Sequence, residues 1–174
     1  MRNLFYVAAL ALLVSCTPKG SDNTASPEER AIGFNTMLPD LKFHLGTEEA
    51  IQVVKDLDKA WTAGDWEAMK TFFADTATCY FPDGTVANGP DEFVDIVKKQ
   101  FEGADISWTF DYAYSVDLDP TRGGEHVQAG FTGTGVKDGV TSKSHYHEWY
   151  YVVDGKIVMW RQFESKINNE EEES

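Results

Sequence analysis

The sequence predicts an α+β fold in which helices cover one face of a curved sheet. Between residues 47 and 101, apolar residues recur at spacings of three and four, the period of amphipathic helices. From Ile106 onwards, apolar and polar residues alternate, as in strands with one buried face. Because the helices precede the strands, we expect the two kinds of element to form separate layers of one domain.

Three helices are predicted first. Thr47 is a residue type that caps helix N-termini, and the first helix runs from it to Gly64. Asp65 caps a second helix, whose apolar face continues to Phe73. The third helix opens at Gly89, and the following proline suits a first helical turn.

The rest of the domain is predicted to consist of one short strand and a four-stranded antiparallel meander. The short strand covers residues 76–81, and a long strand covers residues 106–118. A third strand spans residues 125–136. The last two strands form a hairpin, because Asp154-Gly155 between alternating apolar residues is typical of a two-residue type I′ turn.

Composition limits the classes of partner. A chain of 174 residues with 42% hydrophobic and 13% aromatic residues is suited to one folded domain. Its net charge of −14, without a basic patch, disfavours binding to nucleic acid, so no nucleic-acid partner is expected. The run of four glutamates at 170–173 predicts a disordered acidic tail over residues 167–174.

The N-terminus resembles a bacterial lipoprotein signal peptide, residues 1–15. Arg2 precedes an apolar run that is too short to span a bilayer, and Leu13-Val14-Ser15-Cys16 resembles a lipobox. The resemblance implies lipid on Cys16, a membrane-anchored location in the cell envelope (periplasmic or surface-facing), and a tether and irregular arm over residues 16–46. The alternative is an ordinary secretory signal in which Cys16 lies near the cleavage site.

Cys79 would then be the only free thiol, so no intramolecular disulfide is expected. A nucleophilic cysteine needs a nearby base and electropositive surroundings. The neighbours Thr78 and Tyr80 belong to an apolar run, so we predict a buried, structural cysteine.

Several motifs resemble the SnoaL-like, nuclear-transport-factor-2-like superfamily. They are Ala60-Trp61-Thr62-Ala63-Gly64-Asp65-Trp66, Phe72-Phe73-Ala74-Asp75, Phe81-Pro82-Asp83-Gly84 and Asp154-Gly155-Lys156-Ile157 with Trp160-Arg161. The resemblance places a SnoaL-like domain at residues 47–166. It implies a cone-shaped, cystatin-like fold whose curved antiparallel sheet packs against three N-terminal helices and encloses a mostly apolar pocket.

The same superfamily contains isomerases, epoxide hydrolases, cyclases, dehydratases and non-catalytic binding domains, so the fold alone does not decide the function. The resemblance implies a general-base aspartate where this chain has Phe81, and an acid on the last strand where it has Ser165. The arginine and aspartate of the hydrolases correspond to residues 128–130, which carry neither charge. The known catalytic acids are therefore replaced.

A regular hairpin register places Glu148 opposite Arg161. In the resembling enzymes the acid at the end of the last strand points into the pocket, and Ser165 occupies its position here. Residues separated by an even number of positions share a face, so Arg161 and its partner Glu148 are also expected to point inward. The predicted pocket residues are Trp108, Tyr112, Tyr146, Glu148, Tyr150, Met159, Arg161 and Phe163. We predict a buried Glu148–Arg161 ion pair and name Glu148 as the candidate catalytic residue, because burial and a fixed cation move a carboxyl pKa. The alternative is a structural pair that only satisfies two charges.

The same register places a set of aromatic residues on the other face of the sheet. A monomer seldom exposes so much aromatic surface, and members of the superfamily often dimerise through this face. We therefore predict a homodimer with four residues in its interface: His147, Trp149, Tyr151 and Trp160.

His145 and His147 lie two residues apart, so both can chelate a metal from one strand face. A metal needs a third ligand, for which His126 and Glu164 are the candidates, because Glu148 is predicted to point the other way. We expect these histidines to belong to the interface, with no metal or other cofactor.

Three functions remain open. The favoured one is a lipid-anchored envelope domain that binds a small apolar or aromatic molecule without turning it over. The second is a hydrolase, isomerase or dehydratase that uses Glu148 with Tyr146, Tyr150 or a histidine. The third is a protein-interaction module of the cell envelope. An apolar pocket with converging polar groups favours the first two, and a filled core with an exposed aromatic patch favours the third.

Overall fold

The computed structural model describes residues 31–137 and 139–167. The predicted signal peptide, the lipidation site Cys16, the first part of the tether and arm (residues 16–30) and all but the first residue of the acidic tail lie outside the described residues. In the described ranges, no helix is both long enough and apolar enough to cross a membrane.

The described part of the chain contains three helices and seven strands. They are β1 (His44–Leu45), α1 (Glu48–Thr62), α2 (Trp66–Lys70), β2 (Phe73–Tyr80), β3 (Val86–Asn88), α3 (Gly89–Phe101), β4 (Asp105–Asp117), β5 (Glu125–Lys137), β6 (Val140–Val153) and β7 (Lys156–Lys166). The helices and five of the strands follow the predicted order, and the short strands β1 and β3 were not predicted. A curved sheet and three helices make up the domain, so the predicted α+β class is confirmed.

The helices begin where the capping residues predict. Thr47 accepts a hydrogen bond from the backbone N–H of Ala50 at the start of α1, and Asp65 caps α2 in the same way. Helix α2 is shorter than predicted and ends at Lys70. The chain becomes a strand at Phe73 because its backbone pairs with β7 instead of continuing the helix.

One sheet contains all seven strands in the order β1-β4-β5-β6-β7-β2-β3. Its neighbouring strands are antiparallel except β2 and β7, which run parallel. Buried side chains from the helices and the sheet form one core. Leu57 from α1, Phe93 from α3, and Ile157 and Trp160 from β7 are at most 1% exposed in this core. The face of the sheet away from this core is called the outer face below.

Strand β4 contains a β-bulge at Asp111. Phe110 pairs with Phe131, whereas Tyr112 pairs with Gly130, so Asp111 has no partner of its own. An extra residue reverses the faces on which the later side chains lie. Tyr112 therefore lies on the outer face, half exposed, and its predicted place in the pocket is wrong.

The β6–β7 hairpin contains a second bulge, at Val158. Its turn has the predicted form, since Asp154 and Gly155 both have positive φ angles of 49° and 73°. Tyr151 pairs with Met159, but Val152 pairs with Ile157, so Val158 is the extra residue. Every β7 residue after it is shifted by one position from the predicted register.

Candidate ligand-binding site around Glu148

A cavity of about 290 Å³ lies between helices α1 and α3 and strands β4 to β7. Most of its wall is apolar. Six aromatic side chains line it: Trp61, Phe101, Trp108, Phe131, Tyr146 and Tyr150. The polar side chains in the wall include Asp58, Glu148 and Gln162. A concave apolar site with a few polar groups is the usual form of a small-molecule site.

Glu148 is 4% exposed and accepts hydrogen bonds from three side chains. The hydroxyl of Tyr150 and the indole N–H of Trp160, the latter over 3.0 Å, both donate to Oε2. Nε2 of Gln162 donates to Oε1 over 2.7 Å. Strand alternation places Tyr150 on the same face as Glu148, and β7 supplies the other two donors from the adjacent strand. All three donors are neutral groups.

The electrostatics of this site follow from burial. Burial raises the pKa of Glu148, the three hydrogen bonds oppose that change, and the negative charge of Asp58 adds to it. Burial also raises the pKa of Tyr150 well above its ordinary value, so its hydroxyl remains a donor at neutral pH. The site therefore holds a carboxyl group that is poised to take up a proton or a positive partner.

Asp58 is a second, half-buried carboxylate in the same cavity. It accepts a hydrogen bond of 2.8 Å from Nε1 of Trp108. Across residues 31–137 and 139–167, neither Asp58 nor Glu148 forms an ion pair with lysine or arginine. Two carboxyl groups without a lysine or arginine partner among the described residues thus line one largely apolar cavity.

Trp61 lies beside Trp108, with ring centroids 6.3 Å apart, and also lines the cavity. Its indole N–H is buried and has no acceptor among the described residues. Buried N–H groups nearly always have a partner, so this donor is an exception among the described residues.

The predicted Glu148–Arg161 ion pair is wrong. Because of the bulge at Val158, Arg161 pairs with Trp149 and turns to the outer face. Its guanidinium lies 4.4 Å from the ring centroid of Tyr80, in a cation–π contact. Gln162 occupies the position that faces Glu148.

The structure divides the eight predicted pocket residues into two groups. Four line the cavity: Trp108, Tyr146, Glu148 and Tyr150. Four do not, because one of the two bulges turns each of them away: Tyr112, Met159, Arg161 and Phe163.

The same shift affects the end of β7. Ser165 follows the parity of the outer face and is exposed, so its predicted inward direction is wrong. Glu164 instead lies on the side of Ser144, whose hydroxyl donates to Oε1 of Glu164 over 2.7 Å. This acid is exposed and does not line the cavity.

The predicted pocket lacked the aromatic residues Trp61, Phe101 and Phe131 and the polar residues Asp58 and Gln162, all of which line the cavity. Asp58 had a detectable signal, because it lies four residues after Val54 and three before Trp61, within the apolar face of α1. An acid in that position is expected to have a reason for burial. Gln162 had no such signal, because its direction depends on the bulge.

The outer face carries His147, Trp149 and Tyr151, but Trp160 is fully buried. Its ring lies 5.0 Å from that of Phe81. The prediction that Trp160 lies in an interface is therefore wrong, since the bulge turns it into the core.

The histidines of the outer face make polar side-chain contacts. Nδ1 of His147 lies 3.2 Å from the hydroxyl of Tyr112, and its Nε2 lies 2.7 Å from Oε1 of Gln128. Nε1 of Trp149 donates to Nδ1 of His126 over 2.9 Å. Within the described ranges, no group of three or more His, Cys, Asp or Glu side chains is arranged to hold a metal ion.

Comparison with protein families matches residues 54–160 to the SnoaL-like domain. The match covers more than half of the chain, and the protein belongs to this family. Comparison with curated proteins found no match.

Solved structures with the same fold include three that represent the range of relatives. The M. tuberculosis LEH-like epoxide hydrolase is 15% identical, with a TM-score of 0.56, covering 68% of this chain and 84% of that one. A ketosteroid isomerase-like protein from Erwinia carotovora atroseptica is 17% identical, with a TM-score of 0.56, covering 70% and 95%. A putative SnoaL-like polyketide cyclase from Jannaschia sp. is 17% identical, with a TM-score of 0.58, covering 68% and 86%. At these identities the similarity establishes the fold.

Proposed function

We propose that this SnoaL-like domain binds a small, largely apolar molecule in the cavity, with a polar group of the ligand at Glu148. The observation that carries the proposal is a buried carboxyl group with only neutral donors, in the wall of an aromatic cavity. Burial of apolar ligand surface against the aromatic wall supplies the affinity, and the polar groups orient the ligand.

A cavity-filling variant tests this proposal. A Cβ atom on Gly133 would lie 2.8 Å from the ring of Tyr146, too close for that ring to stay in place, so Gly133→Leu must displace a cavity-lining side chain and reduce the ligand space. Thr132→Leu is the matched control, because its side chain lies on the opposite face of the same strand. The neutral probe N-phenyl-1-naphthylamine, which fluoresces in apolar surroundings, reports binding.

We expect the unmodified protein and Thr132→Leu to bind the probe equally. Gly133→Leu should weaken binding by about tenfold or more, since the ligand loses contact area and meets steric overlap. Equal binding by all three proteins would place the probe elsewhere and contradict the proposal.

An acid–base enzyme is the second candidate, and the raised pKa of the cavity-lining Glu148 favours it. Such an enzyme would be of hydrolase, isomerase or dehydratase type. Binding without turnover is preferred because Phe81, at the position of a family general base, packs in the core. Glu148→Gln separates the two functions: it should abolish turnover in an enzyme while leaving the binding of the apolar probe N-phenyl-1-naphthylamine intact.

We infer that the protein is anchored in the bacterial cell envelope through lipid on Cys16. The support is the lipobox-like Leu13-Val14-Ser15-Cys16 and the polar tether that separates it from the domain. The full chain should therefore sediment with membranes from a bacterial host, and Cys16→Ser should release it. Retention of Cys16→Ser in the membrane fraction would contradict the anchor.

A further inference from the structure

We propose that the ligand of the cavity is an organic ammonium cation, meaning an amine or quaternary ammonium group attached to an apolar body. This inference rests on the proposed function, because it requires that the cavity bind a small molecule. It adds the charge class of that molecule.

Two acidic side chains in the cavity wall favour a cationic ligand. Asp58 and Glu148 both line the cavity without a cationic partner among the described residues. The only lysine or arginine in the described lining is Lys137, which is exposed at the end of β5. Desolvated carboxylates are costly unless a positive charge accompanies them. A ligand cation beside these two residues would supply that charge.

The aromatic side chains of the cavity wall also favour a cationic ligand. Trp108 stands at the centre of the aromatic wall, 6.3 Å from Trp61 and 5.9 Å from Phe101 between ring centroids. Phe131, Tyr146 and Tyr150 extend this wall along β5 and β6. Surfaces of several aromatic rings attract ammonium groups through cation–π interactions, which strengthen when the site is shielded from water. Aromatic rings together with carboxylates therefore select a cation over a neutral molecule of the same shape.

The protein as a whole favours the same charge class. Its net charge of −14 attracts cations and repels anions before they reach the site.

Glu148 makes the affinity for a cation depend on pH. A cation beside it stabilises the carboxylate and lowers the pKa that burial has raised, so affinity should increase with pH until Glu148 is ionised in the free protein.

The test compares two probes of nearly equal shape. Benzyltrimethylammonium carries a quaternary nitrogen, and neopentylbenzene has carbon in its place. Both are titrated against the full chain by displacement of N-phenyl-1-naphthylamine. We expect the cation to bind about tenfold more tightly than its neutral isostere, as cation–π and charge contributions together predict.

Three carboxylate variants locate the origin of that preference. Glu148→Gln and Asp58→Asn should each reduce the preference severalfold while the affinity for neopentylbenzene stays the same. Asp95→Asn is the control, because it removes one exposed charge from α3 outside the cavity. Should Glu148→Gln fail to fold, Asp58→Asn still tests the inference, since Asp58 is only half-buried.

The outcomes separate this inference from the proposed function. Equal affinity for the two probes, or a preference that survives both Glu148→Gln and Asp58→Asn, would overturn the ammonium assignment and leave cavity binding intact. If neither probe binds, or if Gly133→Leu binds the probes as tightly as the unmodified protein does, the proposed function itself is contradicted.

Discussion

Gln162, and not Arg161, faces Glu148 across the β6–β7 pair, and its Nε2 donates to Oε1 of the carboxyl group over 2.7 Å. A one-residue bulge produces this exchange of neighbours. With arginine in that position, the carboxylate would have a permanent counter-charge. With glutamine there, Glu148 has only neutral hydrogen-bond donors and no counter-charge.

Glu148→Gln should change the dependence of stability on pH. Burial raises the pKa of Glu148 in the folded state above its unfolded value near 4.5. As pH rises through and above that value, the unfolded chain therefore releases the proton first, and the free energy of unfolding of the unmodified protein falls. The variant lacks this proton, so its stability relative to the unmodified protein should improve with pH.

The size of this effect is about 1.4 kcal/mol for each pKa unit that separates the two states. Urea unfolding at several pH values between about 5 and 8 measures it. Glu164→Gln is the control, because that acid is exposed and should show little change. A relative stability of Glu148→Gln that declines with pH would mean that the folded state lowers the pKa.

Trp160→Ala should destabilise the protein much more than Trp149→Ala. Trp160 is fully buried against Phe81 and donates to Glu148, so its loss leaves a cavity and removes a donor. Such substitutions cost about 3–5 kcal/mol. Trp149 is half-buried on the outer face, and its loss should cost less. Denaturant midpoints measure both, and equal losses would contradict the placement of Trp160 in the core.

Cys79 should be unreactive in the folded protein. It is completely buried, and burial raises the pKa of its thiol to about 12, so almost no thiolate is present at pH 8. In a Cys16→Ser background, Ellman's reagent should label Cys79 only after unfolding in guanidinium. The same background with Thr36→Cys, an exposed position, is the control. Rapid labelling of native Cys79 would show that the core opens readily.

We propose that the outer face forms the interface of a homodimer. Tyr112, Tyr114 and Phe163 are each 50% exposed there, and His147 contacts Tyr112 and Phe163 on the same face. Light scattering after size exclusion should report a dimer for the unmodified protein and a monomer for Tyr114→Lys. Val86→Lys, an exposed apolar residue at the other edge of the sheet, should remain dimeric. A monomeric unmodified protein at micromolar concentration would contradict the interface.

Sequence reasoning succeeded where structure depends on nearby residues. The caps at Thr47 and Asp65, the apolar stripes and the Asp154-Gly155 turn depend on contacts within a few positions, so the local pattern is enough to place them. Glu148 faces the cavity as predicted, although the prediction rested on an inward Ser165 and a regular register. Both premises are wrong by one position on β7, and the two errors cancel for β6.

The sequence by itself determined the order of the elements, the fold class and the strand that carries Glu148. The tertiary structure decided which β7 residue faces it. Ile157 and Trp160 are both fully buried in the same core, although their odd spacing would place them on opposite faces of a regular strand. Burying both requires an extra residue between them, and Val158 is that residue. Packing of β7 against the helices and β2 requires both side chains to be buried, and the alternation of residues within β7 does not show this requirement.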